Sequence, residues 1–183
     1  SELEELLKDA KRVIDTSRRL ITELEKRDEE IIRRIKDLLR RVTEEAKRML
    51  DEIREELKRR RDEEVKKRIK ELMDKIREDL KRVLEEIDKL SRDSEEDVRR
   101  VLDENRKLVE EVERKVREVL RRRDSEKAKR VLEEIRKLLE DSKKESEDVA
   151  RKLKKSNDEL RRDVERVLRE IEKRLEDLKR EVE

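Results

Sequence analysis

The chain has 183 residues, 62% of them Asp, Glu, Lys or Arg, and its 58 basic and 56 acidic side chains leave a formal net charge of +2. Only twelve residue types occur, with His, Gln, Cys, Gly, Pro, Phe, Tyr and Trp all absent. This excludes disulfides, thiolate metal sites and thiol nucleophiles, imidazole acid–base chemistry and serine triads, glycine-rich phosphate loops and stacking of nucleic-acid bases on aromatic rings.

Abundant charge and few apolar residues can signal disorder, so the placement of the 31% apolar residues decides the matter. Leu, Glu, Lys and Arg favour helix, and the two strong helix breakers never occur. Strands lack their aromatic and turn residues. No apolar run exceeds two residues, which excludes a membrane span and a signal peptide. The expectation is a soluble protein with no natural compartment, cytoplasmic in an expression host.

The first helix is expected at about 2–59. Its apolar stripe runs Val13, Ile14, Ser17, Leu20, Ile21, Leu24, Asp28, repeats eighteen residues later as Ile31, Ile32, Ile35, Leu38, Leu39, Val42, Ala46, and starts again at Met49, Leu50, Ile53 and Leu57. Seven slots in eighteen residues form one stripe of an amphipathic helix. Eighteen residues are five turns of helix, so the stripe winds neither left nor right and the helices are expected to be nearly untwisted. A polar gap at 25–30 leaves the bearing of the stripe unchanged, which places the gap inside the helix.

After Leu57 the stripe resumes at Val65 rotated by roughly 120–130° on the helical wheel, which marks a turn. The sequence there, Arg59-Arg60-Arg61-Asp62-Glu63-Glu64, ends one helix on cations and begins the next on a cap and acids, as the helix dipole favours. The second helix is expected at about 63–121. It carries Val83, Leu84, Ile87, Leu90, Ser91, Ser94, Val98 and, one repeat on, Val101, Leu102, Asn105, Leu108, Val109, Val112, Val116. The stripe keeps its bearing through the gap at 91–97 and loses it between Leu120 and Ala128, where Arg121-Arg122-Arg123-Asp124-Ser125-Glu126 repeats the turn pattern.

The third helix is expected at about 125–182, with Val131, Leu132, Ile135, Leu138, Leu139, Ser142, Ser146 followed by Val149, Ala150, Leu153, Ser156, Asn157, Leu160, Val164, the stripe keeping its bearing through the polar gap at 154–159. Short turns make successive helices antiparallel. The predicted fold is all-α: a single up-down-up antiparallel three-helix bundle over 1–183, with helices of about sixty residues, about 90 Å each at 1.5 Å per residue. Neither turn has a glycine for its C-terminal cap, so the conformation of the turns is left open.

Nine polar residues occupy stripe slots. Folding the chain at 61 and 124 brings Ser17, Asn105 and Ser142 to one level, with Ser146 one turn away. It brings Asp28, Ser91, Ser94, Ser156 and Asn157 to a second. Buried polar groups are tolerable only when bonded to one another, so the expected role of these layers is to penalise shifted registers and wrong partners, as a polar residue does in a coiled-coil seam. The rival reading, a hard-cation site at Asp28 with Asn157 and three serines, has a single carboxylate and too little charge. No catalytic, cofactor-binding or metal-binding residues are expected, and no cofactor.

The arginine-rich stretches Lys58 to Arg61 and Arg121 to Arg123 are expected to be dipole-matched helix ends; each is followed at once by acids, so weak, salt-sensitive adhesion to nucleic acid is the most that is expected.

The restricted alphabet, the eighteen-residue repeat and the clustered core polar residues resemble computationally designed parametric helical bundles with buried hydrogen-bond networks. That resemblance covers the whole chain and implies a synthetic structural scaffold, a rigid monomeric rod with no evolved biochemical function, no enzyme activity, and no required partner, nucleic acid or membrane. The alternative is a designed interaction module that self-associates or binds a partner helix through its seams.

Overall fold

The computed structural model describes residues 1–182. The chain is all-α, with three helices: α1 (Glu2–Arg59), α2 (Glu63–Arg122) and α3 (Glu126–Val182). The helices run unbroken through the polar gaps at 25–30, 91–97 and 154–159, because a helix needs no apolar side chain to continue, the gaps hold neither Gly nor Pro, and their Glu, Lys and Arg offset the weaker formers Ser, Asp and Asn.

The reversals take three residues each, Arg60–Asp62 and Arg123–Ser125, and no described residue has positive φ. The missing glycine therefore costs nothing, since neither turn uses the left-handed C-cap that glycine serves. Side chains at the start of the next helix hold the turns instead. The Val65 N–H donates to Asp62 Oδ1 at 3.0 Å, and Arg60 Nε and Nη2 donate to Asp62 Oδ2 at 3.0 and 2.7 Å. The Val65 N–H and then the Arg60 guanidinium hold the Asp62 carboxyl below its ordinary value, while Asp62 raises that of Arg60. At the second reversal the cap is Ser125, whose Oγ accepts from the Ala128 N–H at 3.2 Å.

Packing gathers the helices into two compact units, each drawing on all three. Unit 1 comprises Ser1–Glu29 and Asp93–Lys155; unit 2 comprises Glu30–Arg92 and Ser156–Glu183. In unit 1, contacts run Glu2 to Arg122, Asp9 to Lys115 and Arg27 to Asp97. Numbers rise on α1 as they fall on α2, so the pair is antiparallel. In unit 2, Arg68 meets Glu52 and Glu56 across the first turn, and Arg77 meets Glu176 on α3.

Unit 2 holds one continuous apolar core of nineteen buried residues, among them Ile53 and Leu175 at 0% exposure. Unit 1 holds two smaller apolar clusters. One, of eleven buried residues, is built on Leu6, Ala10, Val112, Val116, Ala128 and Ile135; the other is Leu24, Val101 and Leu153. Six buried polar residues are found among the described residues, Ser17, Asp28, Ser94, Asn105, Ser142 and Ser146, and all six belong to unit 1.

Candidate functional site

The polar layer of unit 1 is built from one residue of α1, one of α2 and two of α3. Ser142 and Ser146 are four apart, hence stacked on one face of α3. The Ser146 hydroxyl donates back to the Ser142 carbonyl at 3.0 Å and accepts from Asn105 Nδ2 at 3.0 Å. Ser142 Oγ lies 3.3 Å from Ser17 Oγ, donating to it. The layer thus joins α2 to α3 and α3 to α1. Its unfinished corner is Asn105, 4% exposed, whose Oδ1 is buried with no donor. An orphaned acceptor of this kind costs about 1–3 kcal/mol.

A second buried pair lies lower in unit 1, where Ser94 Oγ donates to Asp28 Oδ1 at 2.5 Å. Asp28 fills the slot that Ala10 and Ala46 hold one repeat before and after it, so its carboxylate points into a seam. Ser91, Ser156 and Asn157, expected on that level, lie in unit 2 and are half-buried.

The rim adds half-buried residues that sequence reasoning did not single out. Lys143 Nζ and Glu113 Oε1 form a 2.7 Å ion pair from α3 to α2. The Glu113 hydrogen bond raises the Lys143 ammonium above the ordinary lysine value. Both line a groove with Leu102, Asn105, Val109 and Ser146. A companion groove between α1 and α3 is floored by Ile14, Leu138 and Ser142, and Arg18 pairs with Glu145 at 3.5 Å on its rim. One lysine among 58 basic residues carries no mark in the sequence, so only the fold could select it.

Hydroxyls and an amide bonded to one another include no proton acceptor strong enough to activate a nucleophile. Asp28 and Ser94 are a carboxylate and a hydroxyl in contact, but at 3% and 2% exposure no substrate atom reaches them. Among the described residues, no three His, Cys, Asp or Glu side chains are grouped to hold a metal ion. Among the described residues, no helix is long and apolar enough to cross a membrane.

No protein-family model and no curated protein matches the sequence. The chain is similar to a solved structure described as a computationally designed three-helix bundle. The two share 21% identity over 99% of this chain and 85% of the other, with a TM-score of 0.40. The three-helix assignment rests on the helices and packing of this chain itself.

Proposed function

We propose that the chain is a synthetic structural scaffold, monomeric and without enzyme activity, in which the polar layer of unit 1 fixes how the helices align. Residues 1–183 form one bundle in this reading. The observation that carries it is a substitution pattern one repeat long. Ser17, Asn105, Ser142 and Ser146 occupy the slots of Ile35, Ile87, Leu160 and Val164, and those four are buried in the core of unit 2. The same slot is apolar in one unit and polar in the other. An apolar stripe that repeats every eighteen residues packs almost as well when slid by one repeat, because its side chains meet the same kinds of neighbour. A polar layer in one place only removes that degeneracy, since sliding would bury four polar groups against Ile, Leu and Val at a cost of about 1–3 kcal/mol each.

The experiment replaces the layer by its apolar counterparts: Ser17→Ile, Asn105→Ile, Ser142→Leu and Ser146→Val together. The expected product is more resistant to guanidinium, yet heterogeneous, with doubled amide resonances or mixed mass by light scattering. A variant that stays monomeric with one set of resonances would sink the register role.

A further inference from the structure

Two stretches differ from the rest of the chain in exposure. Residues 58–64 and 121–127 are each seven consecutive exposed residues, whereas elsewhere among the described residues no exposed run exceeds three. Within a helix the apolar stripe returns every three or four residues, so only the reversals escape it. An enzyme that modifies a polypeptide must hold several residues in extended form. At 121–127 the helix ends can fray to meet that need without uncovering apolar surface. The stretch Lys58 to Glu64 holds no hydroxyl, and the other holds one, Ser125. Hydroxyls elsewhere are less available: Ser17, Ser94, Ser142 and Ser146 are buried, and Thr22 and Thr43 donate to carbonyls of their own helix.

Ser125 follows three arginines, Arg121 to Arg123. Arg122 and Arg123 pair with Glu2 at 2.8 and 3.5 Å, exposed contacts that are worth little. Asp124, beside the serine, pairs with Lys129 at 3.5 Å. The arginines can therefore exchange Glu2 for the carboxylates of a partner, to which guanidinium groups bind in a specific geometry.

The first reversal shows what a negative charge does at this place. Its backbone hydrogen bonds match those of the second: Arg60 and Arg123, each two residues before the cap, donate to the carbonyls of Glu56 and Val119, and Lys66 and Lys129 donate to those of Asp62 and Ser125. There the anionic Asp62 collects the Val65 N–H, three residues on, and the Arg60 guanidinium, two residues back. Ser125 already accepts the Ala128 N–H, three residues on, and Arg123 stands two residues back.

We propose that Ser125 is a phosphorylation site for a serine kinase whose substrate cleft carries carboxylates for arginine. Ser125 Oγ attacks the γ-phosphorus of ATP and forms the new O–P bond. The bond from that phosphorus to the β,γ-bridging oxygen breaks, ADP leaves, and the hydroxyl proton passes to the catalytic carboxylate of the kinase. The phosphate then takes the position of the Asp62 carboxylate, held by the Ala128 N–H, the positive end of α3 and Arg123.

The test incubates the full chain with Mg–ATP and the catalytic subunit of cyclic-AMP-dependent protein kinase. Mass spectrometry is expected to find one phosphate per chain, in the fragment that holds Ser125, and none in Ser125→Ala. Arg122→Gln with Arg123→Gln is expected to slow transfer at least about tenfold, the effect of losing two charge-assisted contacts, with the helix content of both variants checked by circular dichroism. Absence of transfer, transfer to another hydroxyl, or a rate that the arginine replacements leave unchanged overturns the site. Phosphorus NMR titration of the product tests the seating. The second ionisation is expected below the ordinary value of about 6 and closer to it when Arg123→Gln is present; an ordinary value in the unsubstituted chain overturns the match to Asp62.

Discussion

Two stretches of the same three helices, written with the same repeat, pack in different ways. Unit 2 fills its seams with Ile, Leu, Val and Met in one continuous core, whereas unit 1 divides its apolar residues into two clusters. Ser17, Asn105, Ser142 and Ser146 separate those clusters, and Asp28 with Ser94 adds a further polar contact. Four of the buried α2 positions in the larger cluster of unit 1 are valines, while α2 in unit 2 contributes Ile69, Met73, Ile76, Leu80 and Ile87. Identical periodicity therefore does not mean identical strength. The stripe decides where a helix packs, and the volume and polarity of each slot decide how much is gained there.

The sharpest way to break this comparison is to truncate a core residue in each unit. Ile53→Ala in unit 2 and Ile135→Ala in unit 1 each delete a side chain with 0% exposure, and each is expected to cost about 2–5 kcal/mol in guanidinium unfolding. The difference should lie in hydrogen exchange. Ile135→Ala is expected to accelerate exchange in unit 1 alone, and acceleration of both units to the same degree would deny them separate stability.

Polar partners come next. Ser94→Ala takes a buried donor from Asp28 and is expected to destabilise by about 1–3 kcal/mol, the cost of an abandoned buried acceptor. Asn105→Leu should act in the opposite sense. It deletes the orphaned Oδ1 while Ser146 keeps its bond to the Ser142 carbonyl, so a gain of about 1 kcal/mol is expected. A loss of stability would show that Asn105 holds more than its single hydrogen bond to Ser146.

The caps have a smaller effect. Ser125→Ala removes the side-chain acceptor of the Ala128 N–H and is expected to cost about 1 kcal/mol, seen as a lower denaturant midpoint with an unchanged slope.

The smallest effects are those of pH, and they have opposite signs in the two units. The folded Asp62 carboxyl sits below its ordinary value because of the Val65 N–H and Arg60. Its contribution to unit 2 is present above the ordinary carboxyl range and is lost as pH falls through the lowered value. Lys143, raised by Glu113, contributes to unit 1 below the ordinary lysine value, and that contribution is lost as pH rises through the raised one. Protection of amides near Val65, relative to their intrinsic exchange at each pH, should therefore fall in acid and that of amides near Lys143 in alkali. Asp62→Asn and Lys143→Met should each flatten one limb.

Helix positions were legible in the sequence because helix formation is local. The bearing of the stripe past residues 28, 94 and 157, and its loss near 61 and 124, follow from 100° per residue and nothing else. The polar layer was legible in part for the same reason. Uniform rise put Ser17, Asn105 and Ser142 at one height, and the structure joins them through Ser146.

What one helix cannot encode is the environment its side chains meet. Sequence could not choose between Asp124 and Ser125 as the cap, find the ion pair of Lys143 with Glu113, or show that Asn105 is left with one acceptor unmet. Nor could it show that the packing separates into two units, with all six buried polar residues found among the described residues in one of them. Periodicity along a helix is a property of one chain segment and survives in the sequence. Hydrogen-bond geometry, slot volume and the division of the core arise only when three segments share the same space, and the tertiary structure alone decided them.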